Sequence, residues 1–277
     1  PELVVVVEEL GRAIAPGPFV PTVIASAVIA AAAPEDVQAR VLPGLADGSI
    51  IGAVALGGAV TVSGGRASGS AGVVLGGGLA DILLVAVGDD VALVEVAAGG
   101  VTVEVPANLD QGRRSARVTL DGATAEVVPG AGQALVDHAR LLLSAECVGV
   151  ARECTEQAAA YAKEREQFGR PIAMFQAVKH HCANMLVATE LSTGLVWDAA
   201  RAAADGGDEF SAAAAMAATI ALPAADECAN LNIQVHGGIG FTWEHDARLY
   251  FKRARADEAL LGTPAHHRER VARLLAL

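Results

Sequence analysis

The hydrophobic period of the chain changes twice along its length, and this change constrains the fold more than any other feature. Residues 1–51 show helical spacing with breaks, residues 52–129 carry short β-branched runs between Gly-rich turns, and residues 130–277 return to helical spacing. Helices and strands therefore occur in separate blocks and do not alternate. This order predicts an α+β protein with three successive domains at these boundaries.

The first block, residues 1–51, is predicted to be a helical segment that is truncated at its N-terminus. The chain begins at Pro1, already inside a helical pattern, so we expect further residues before it. Pro34 followed by two acidic residues is typical of a helix start, because proline fits the first turn and carboxylates favour the positive end of the helix dipole. We expect this helix to stop near Pro43-Gly44.

The second block, residues 52–129, is predicted to form an antiparallel sheet or a small barrel. Its apolar and β-branched runs are short, and each one ends at Gly, Asp or Pro. Such runs at close spacing, with turn signals between them, favour antiparallel strands. The strands are expected at residues 82–87, 91–96, 101–105 and 117–120.

The third block, residues 130–277, is predicted to be an antiparallel four-helix bundle. In one segment, small and apolar residues recur every three or four positions from Val178 to Val196, which gives a single buried stripe. Long helices joined by short turns pack antiparallel to their neighbours. The helices are expected near residues 131–164, 172–204, 209–235, 244–260 and 264–276.

Composition excludes several classes of protein. With 53% hydrophobic and 19% charged residues the chain is not disordered, and a net charge of −12 argues against a nucleic-acid partner. The apolar run at residues 19–33 is broken by Pro21 and is shorter than the roughly 20 residues of a membrane span, so we expect no membrane partner. The four cysteines lack paired spacing, which favours free thiols and a cytoplasmic location.

The segment from Arg165 to Pro171, with the sequence REQFGRP, follows the first helix of the predicted bundle. On spacing alone it fits an ordinary helix C-cap, with glycine after the last turn and proline two residues later. A functional interpretation stays open beside it. Arg165 and Arg170 are candidates for binding a phosphate-rich ligand, because guanidinium groups match phosphate oxygens in pairs.

A second glycine-bearing segment, QVHGGIGF at residues 234–241, separates two predicted helices. It fits a tight turn, or a place where the backbone closely approaches a phosphate or an adenine. It does not have the GxGxxG pattern of a Rossmann site. No HExxH, ExxH or GxSxG motif occurs, so neither a metal site nor a serine hydrolase is indicated.

Three segments together resemble the acyl-CoA dehydrogenase family, and the resemblance covers nearly the whole chain. It implies the order of a helical domain, a β domain and a four-helix bundle. It also implies an FAD cofactor and the oxidation of an acyl-CoA thioester to a 2-enoyl-CoA, in which a carboxylate removes the α-proton and a hydride passes to the flavin. The resembling segments are Glu8 to Gly48, Tyr161 to Gln176 and Gln234 to Arg253.

The resemblance also implies particular site residues. In the family, residues of the two glycine-bearing segments contact the FAD of a neighbouring subunit. Arg140 is similar to a family arginine near the active site and is expected to lie close to the substrate. The residues expected to bind the cofactor are Arg165, Gln167, Phe168, Gln234, Gly237, Gly238 and Thr263.

Three positions depart from the family pattern. The catalytic Glu of most members precedes a Gly-Thr pair, and here Leu261 stands at that position. Other members carry the base just before the arginine of the first bundle helix, where this chain has Ala139. The flavin-cradling segment expected after residues 50–56 is replaced by Gly57-Gly58, so it is either lost or interrupted at this junction. We therefore assign no catalytic residue to this chain.

The departures match one arrangement known in the family, in which actinobacterial enzymes acting on steroid side-chain thioesters are α2β2 heterotetramers. The resemblance then implies a base-less subunit that contacts FAD, with a homologous partner supplying the Glu and an acyl-CoA, steroid-CoA included, as substrate. Two alternatives stay open: a homotetrameric dehydrogenase whose base is displaced to Asp257 or Glu258, and a non-catalytic scaffold subunit.

Overall fold

The structure, a computed structural model, describes residues 1–276. The chain divides into two compact units, one of Pro16–Ala139 and one of Pro1–Ala15 together with Arg140–Leu277. Each unit is considered by itself below. The division into segments 1–51, 52–129 and 130–277 stays a prediction about domain organisation, and the compact units group the N-terminal residues differently.

The elements follow the order predicted from the sequence: helices, then strands, then helices. The helices are α1 (Glu2–Arg12), α2 (Phe19–Ala32), α3 (Glu35–Asp47), α4 (Gly132–Glu164), α5 (Gln176–Ala202), α6 (Gly207–His236), α7 (Ala247–Leu261) and α8 (Pro264–Leu274). The strands are β1 (Gly52–Ala55), β2 (Ala59–Ser63), β3 (Arg66–Val74), β4 (Ile82–Val87), β5 (Asp90–Glu95), β6 (Val101–Glu104), β7 (Ala116–Val128), β8 (Glu166–Gln167) and β9 (Arg170–Pro171). The α+β fold class is confirmed.

Helix α3 begins after Pro34, as predicted, but the predicted stop near Pro43-Gly44 is wrong. The helix continues through Pro43 to Asp47. It ends at Gly48, whose φ of 79° is the left-handed conformation that glycine adopts without a steric penalty. Pro43 lacks an N–H group and so removes one hydrogen bond from the helix, but the helix continues for about one turn beyond it.

Strand β7 is the strand to which most of the sheet is attached, since it pairs with β3, β5 and β6. The predicted strand end before Asp121-Gly122 is wrong, because β7 runs on to Val128. Gly122 has a φ of 63°, and the register between β3 and β7 shifts at the facing residues Ala67 and Gly69. The glycine therefore marks an irregularity inside a long strand and not a turn between two strands.

The seven-stranded sheet has the order β1-β4-β5-β7-β3-β2, with β6 added on β7. The pairing is antiparallel as predicted, except that β1 and β4 run parallel. The sheet curls, because Val54 at the end of β1 exchanges two backbone hydrogen bonds with Leu75, which follows β3. Small and β-branched side chains such as Ala53, Val94 and Val118 fill its core.

In the other unit, helices α5, α7 and α8 pack around α6. Helix α6 contacts α5, α7 and α8, and Asn232 on α6 donates a hydrogen bond to Gln157 on α4. The hydroxyl oxygens of Thr155 on α4 and Thr189 on α5 lie 3.3 Å apart, within hydrogen-bond distance. The helical C-terminal region is thus confirmed, with ends shifted by a few residues from the predicted ones. Among residues 1–276, no helix combines the length and the hydropathy needed to cross a membrane.

Two glycines allow helices α1 and α4 to approach each other at backbone distance. A Cβ atom at Gly149 would lie 1.9 Å from the carbonyl oxygen of Glu8, and one at Gly11 would lie 2.2 Å from that of Glu146. Both distances are far below any real contact, and the neighbouring atoms belong to the backbone. The sequence therefore needs glycine at both positions for α1 to dock.

A buried ion pair joins helices α4 and α7. The Arg253 guanidinium is 0% exposed and donates to the Glu146 carboxylate, which is 1% exposed, at 2.7 Å. A second nitrogen of Arg253 lies 3.3 Å from the carbonyl oxygen of Ala15. Removing one partner of such a pair leaves a buried charge, which typically costs about 3–5 kcal/mol.

We expect Gly149→Ala to lower the free energy of unfolding by about 1–3 kcal/mol or more, because the added methyl group overlaps the backbone of α1. The matched control is Gly194→Ala on α5, where a Cβ meets nothing within 4 Å. This control should be neutral or gain up to about 1 kcal/mol from helix propensity. Urea unfolding of both variants measures the difference, and equal stabilities would contradict the close approach.

Candidate functional site

The segment after α4 forms a tight hairpin. Helix α4 ends at Glu164, and strands β8 and β9 pair through Gln167 and Arg170. The two residues of the turn, Phe168 and Gly169, have φ values of 57° and 74°, as a two-residue hairpin turn requires. The interpretation of Gly169 as a helix C-cap is therefore wrong. A positive φ at phenylalanine is strained, and such strain is often found at binding sites.

The second glycine-bearing segment forms a turn at the end of α6. Gly237, with a φ of 64°, ends the helix, and residues 237–241 form a short 3-10 turn. A Cβ at Gly237 or Gly238 would meet nothing within 4 Å, whereas one at Gly240 would lie 2.9 Å from the carbonyl oxygen of Ile233. Gly240 is thus needed for packing, while Gly237 and Gly238 leave open space in front of the backbone.

The hairpin and the glycine turn come together at one pocket of about 690 Å³. This volume lies within the range of about 300–1,000 Å³ that is typical of small-molecule sites. Arg165 supplies a guanidinium to the pocket, and Gly237 and Gly238 supply bare backbone. The pocket is lined by Tyr161, Arg165, Gln167, Ile172, Val235, His236, Gly237, Gly238, Ile239 and His245.

Three of the lining residues form a ring stack that the sequence analysis missed. The His236 ring stacks on the Tyr161 ring, and the His245 ring also packs against His236, with the ring centroids of each pair 4.3 Å apart. Tyr161 precedes Arg165 by one helical turn, and His236 lies inside the QVHGG segment. Their positions in the sequence, next to predicted site residues, could therefore have indicated both of them. His245 had no such signal, because a loop of the chain brings it back to α6.

Four of the predicted cofactor-binding residues line this pocket: Arg165, Gln167, Gly237 and Gly238. Gln234 and Phe168 are not among its lining residues, and the Phe168 ring is 91% exposed, edge-on to Phe175. Thr263 lies elsewhere, as the N-cap of α8. The roles of these residues stay predictions.

Arg140, predicted to lie near the substrate, is buried, with 3% of its surface exposed. His267 on α8 is fully buried near it. Burial lowers the pKa of His267 to about 4, and the charges of Arg140 and His266 act in the same direction. The folded protein therefore keeps this imidazole neutral in the range where a solvated histidine becomes charged.

The two positions at which the resemblance places the base of the family hold apolar side chains that are buried. Leu261 is the last residue of α7 and is 9% exposed, and Ala139 is fully buried. Of the nearby acidic residues, Glu258 is 3.3 Å from Arg255 in an ion pair. Asp257 is fully buried, with the Cys147 thiol 3.9 Å away.

Comparison with known proteins identifies the family. Residues 131–276 match the family described as "Acyl-CoA dehydrogenase, C-terminal domain". The acyl-CoA dehydrogenase FadE34 of Mycobacterium tuberculosis is 41% identical over 276 residues, which are 99% of this chain and 38% of FadE34. The acyl-CoA dehydrogenase IpdE2 of the same organism is 39% identical over 260 residues, or 94% of this chain and 73% of IpdE2. The chain belongs to the acyl-CoA dehydrogenase family.

Solved structures agree with this assignment. The Tcur3481-Tcur3483 steroid ACAD G363A variant superposes with a TM-score of 0.91 at 32% identity, covering 99% of this chain and 80% of that one. The ChsE4-ChsE5 complex from Mycobacterium tuberculosis gives a TM-score of 0.92 at 29% identity, with the same coverage. The chain spans less than half the length of FadE34 and about three quarters of IpdE2.

Members of this family are FAD-dependent, and the pocket fits part of such a dinucleotide. A diphosphate needs a cation and free N–H groups at close range, and Arg165 with the open Gly237-Gly238 backbone offers both. A flat ring needs an apolar or aromatic surface, and Tyr161 and Ile239 line the same pocket.

The neutral, buried His267 predicts an acid-sensitive fold. The unfolded chain binds a proton near pH 6.5 while the folded one does not until about pH 4, so stability falls as the pH drops through this window. His267→Leu should lose less stability than the parent between about pH 7 and pH 5. Denaturant midpoints at the two pH values measure this loss.

The control for this prediction is His266→Leu, because His266 is the exposed neighbour on the same helix. It should keep most of the acid sensitivity of the parent protein, because burial is the largest cause of the lowered pKa of His267 and the charge of His266 is a smaller one. If the parent and His267→Leu lose the same stability on acidification, the buried neutral imidazole is not the cause.

Proposed function

We propose that this chain is a subunit of an FAD-dependent acyl-CoA dehydrogenase that contacts the cofactor while a homologous partner subunit supplies the catalytic Glu. The observation that carries the proposal is the combination of a dinucleotide-compatible pocket with apolar residues at both base positions. The reaction is the α,β-dehydrogenation of an acyl-CoA thioester. The assembly would be an α2β2 heterotetramer in the cytoplasm, where its four cysteines, which form no disulfide, remain reduced.

The pocket supports the binding half of this proposal. The chain carries a net charge of −12, which repels an anionic ligand at long range. Arg165 lines the pocket and provides a local positive charge that attracts such a ligand at short range. Gln167 and the glycine turn add polar contacts. We assign Phe168 and Gln234 to the rim of the same cofactor site, and Thr263 and Arg140 to more distant parts of it.

The base positions support the second half. Neither Leu261 nor Ala139 can accept a proton. The displaced-base alternative needs a free carboxylate one turn away, but Glu258 is paired with Arg255 on the surface of α7. Asp257 is fully buried beside Cys147, where no substrate atom reaches it without rearrangement of the core. A partner carboxylate is the simpler solution.

The β unit supports the same division of roles. Strands β1 and β2 are joined by Leu56, Gly57 and Gly58, and this link leaves no room for the flavin-cradling segment that the family places here. A Cβ at Gly58 would lie 2.5 Å from the Ser70 carbonyl oxygen, so the link packs directly on β3. We infer that the isoalloxazine end of FAD is held by the partner.

The relatives support the choice of partner and substrate class. One similar structure is described as a steroid ACAD of two named components, and another as a complex of two named chains. We extend both properties to this chain: a homologous partner subunit, and an acyl-CoA substrate whose acyl group is large, as in a steroid-CoA.

When bound, FAD supplies the hydride acceptor, and the remaining work is positioning. In this chain, Arg165 would neutralise phosphate charge, and the glycine turn would donate N–H groups. The ring stack beneath them would exclude water from one face of the cofactor. None of these residues moves a substrate proton, so the proton step belongs to the partner.

The test is expression of the chain alone and together with the homologous subunit encoded next to it. We expect the chain alone to hold no FAD and to show no dehydrogenase activity, and the complex to hold FAD. Arg165→Ala should weaken the affinity of the complex for FAD by about tenfold, the effect of losing roughly 1.4 kcal/mol from one charge-assisted contact, and so lower the FAD content that remains after dialysis. Flavin absorbance per mole of complex measures this.

The matched control is Arg273→Ala, which removes an exposed arginine paired with Glu269 on α8. It should leave the FAD content unchanged. FAD and activity in the chain alone would overturn the shared site. An unchanged FAD content in Arg165→Ala would favour the scaffold alternative, in which the chain does not touch the flavin.

A further inference from the structure

The ring stack connects three separate elements around the pocket. Tyr161 belongs to the last turns of α4, His236 ends α6, and His245 lies just before α7. The His236 ring packs against the Tyr161 ring at an interplanar angle of 28° and against the His245 ring at 49°, and the ring centroids of each pair are 4.3 Å apart. The stack therefore fixes where the glycine turn, which follows His236 directly, lies relative to Arg165, the residue after the end of α4.

Hydrogen bonds fix the proton positions of both imidazoles. His236 Nδ1 donates to the carbonyl oxygen of Asn232 at 2.8 Å, because a carbonyl can only accept. His245 Nδ1 accepts from the backbone N–H of Ala247 at 3.0 Å, at the start of α7. Neutral His245 thus carries its proton on Nε2. A second proton would have to go to Nδ1, and this would break the bond to Ala247.

A positive charge in this stack is unfavourable on several counts. His236 is 6% exposed, so a charge on it loses most of its hydration. Burial, with a smaller contribution from His245, lowers its pKa below the usual 6.5. A cation on His245 would face the positive end of the α7 dipole.

The other ionisable groups around the stack do not offset this cost. The ionisable groups are Tyr161 on α4 and the Arg165 cation, which directly follows α4, and on the hairpin side the pocket presents Gln167, which is uncharged. Glu244 is exposed beside His245. Asp246 lies at the start of α7 and acts on Tyr250. Arg165, which lines the same pocket, opposes protonation, and the carboxylates of Glu244 and Asp246 are exposed to solvent.

We propose that Tyr161, His236 and His245 are positioning residues that hold the glycine turn of residues 237–241 in its binding shape, and that protonation of the imidazole pair releases this turn and the dinucleotide. The inference rests on the proposed function, because it assigns the pocket to FAD. An added charge near the diphosphate would attract it only weakly in an open, hydrated pocket, whereas burying an unpaired charge costs considerably more free energy. The loss of the binding shape therefore dominates.

The first test uses the complex with its partner and measures FAD affinity by flavin fluorescence at about pH 7.5 and pH 5.5. We expect the affinity for FAD to fall on acidification. If one proton is linked to release, the affinity falls by up to about tenfold for each pH unit below 6.5. His236→Phe keeps a flat ring without a titrating nitrogen, and His245→Asn keeps an acceptor for Ala247. Both variants should lose the acid-induced weakening, measured for each as the ratio of its own affinities for FAD at the two pH values.

His138→Phe is the matched control, because His138 also bonds the carbonyl four residues earlier, at 2.8 Å, but does not line the pocket. It should keep the acid dependence of the parent complex. The proposal is overturned if the parent binds FAD equally at both pH values, or if both stack variants keep its full acid dependence. A complex without FAD at either pH overturns the proposed function itself and this inference with it.

A second readout needs no cofactor. Trp243, 81% exposed, follows the glycine turn, and Trp197→Phe leaves it as the only tryptophan of the chain. In that variant without FAD, the Trp243 emission should shift between about pH 7 and pH 5.5 with one titration step, because the turn moves when the stack is charged. Adding His245→Asn should abolish the step. A step that persists with His245→Asn contradicts the proposal.

Discussion

The buried pair of Arg253 and Glu146 is the interaction on which the helical unit depends. It fixes α7 against α4, and through the Ala15 carbonyl it also fixes the residues that follow α1. Helix α7 has His245 before its start and Leu261 at its end. One desolvated ion pair therefore holds the helix that has the pocket stack at its start and Leu261 at its end. Such a pair tolerates little change, because either charge alone would be stranded in the core.

The proposed division of roles follows from what this frame holds at each end of α7. At the start, stacked rings and bare glycine backbone form a surface that suits a dinucleotide. At the end, Leu261 fills the position of the family base with a buried aliphatic side chain. Binding and proton transfer are thus separable, and one subunit can specialise in binding when a second supplies the carboxylate.

Much of this could be predicted from the sequence, because it depends on local pattern. Hydrophobic period gave the block order and most helix limits, and the two glycine-bearing segments located the pocket through Arg165 and Gly237. The errors arose where long-range packing decides: α3 passes through Pro43, and β7 continues past Gly122 because strands on both sides pair with it. His245 could not be found, since its role depends on a loop returning to α6.

The central claim is that two chains share one cofactor, and the ratio of FAD to polypeptide in the purified complex tests it most directly. Quantitative flavin absorbance, combined with the mass of the intact complex, gives this ratio. The account predicts one FAD for each pair of chains, one of each type. A ratio of one FAD per chain would contradict it, because this subunit would then hold a complete cofactor site of its own.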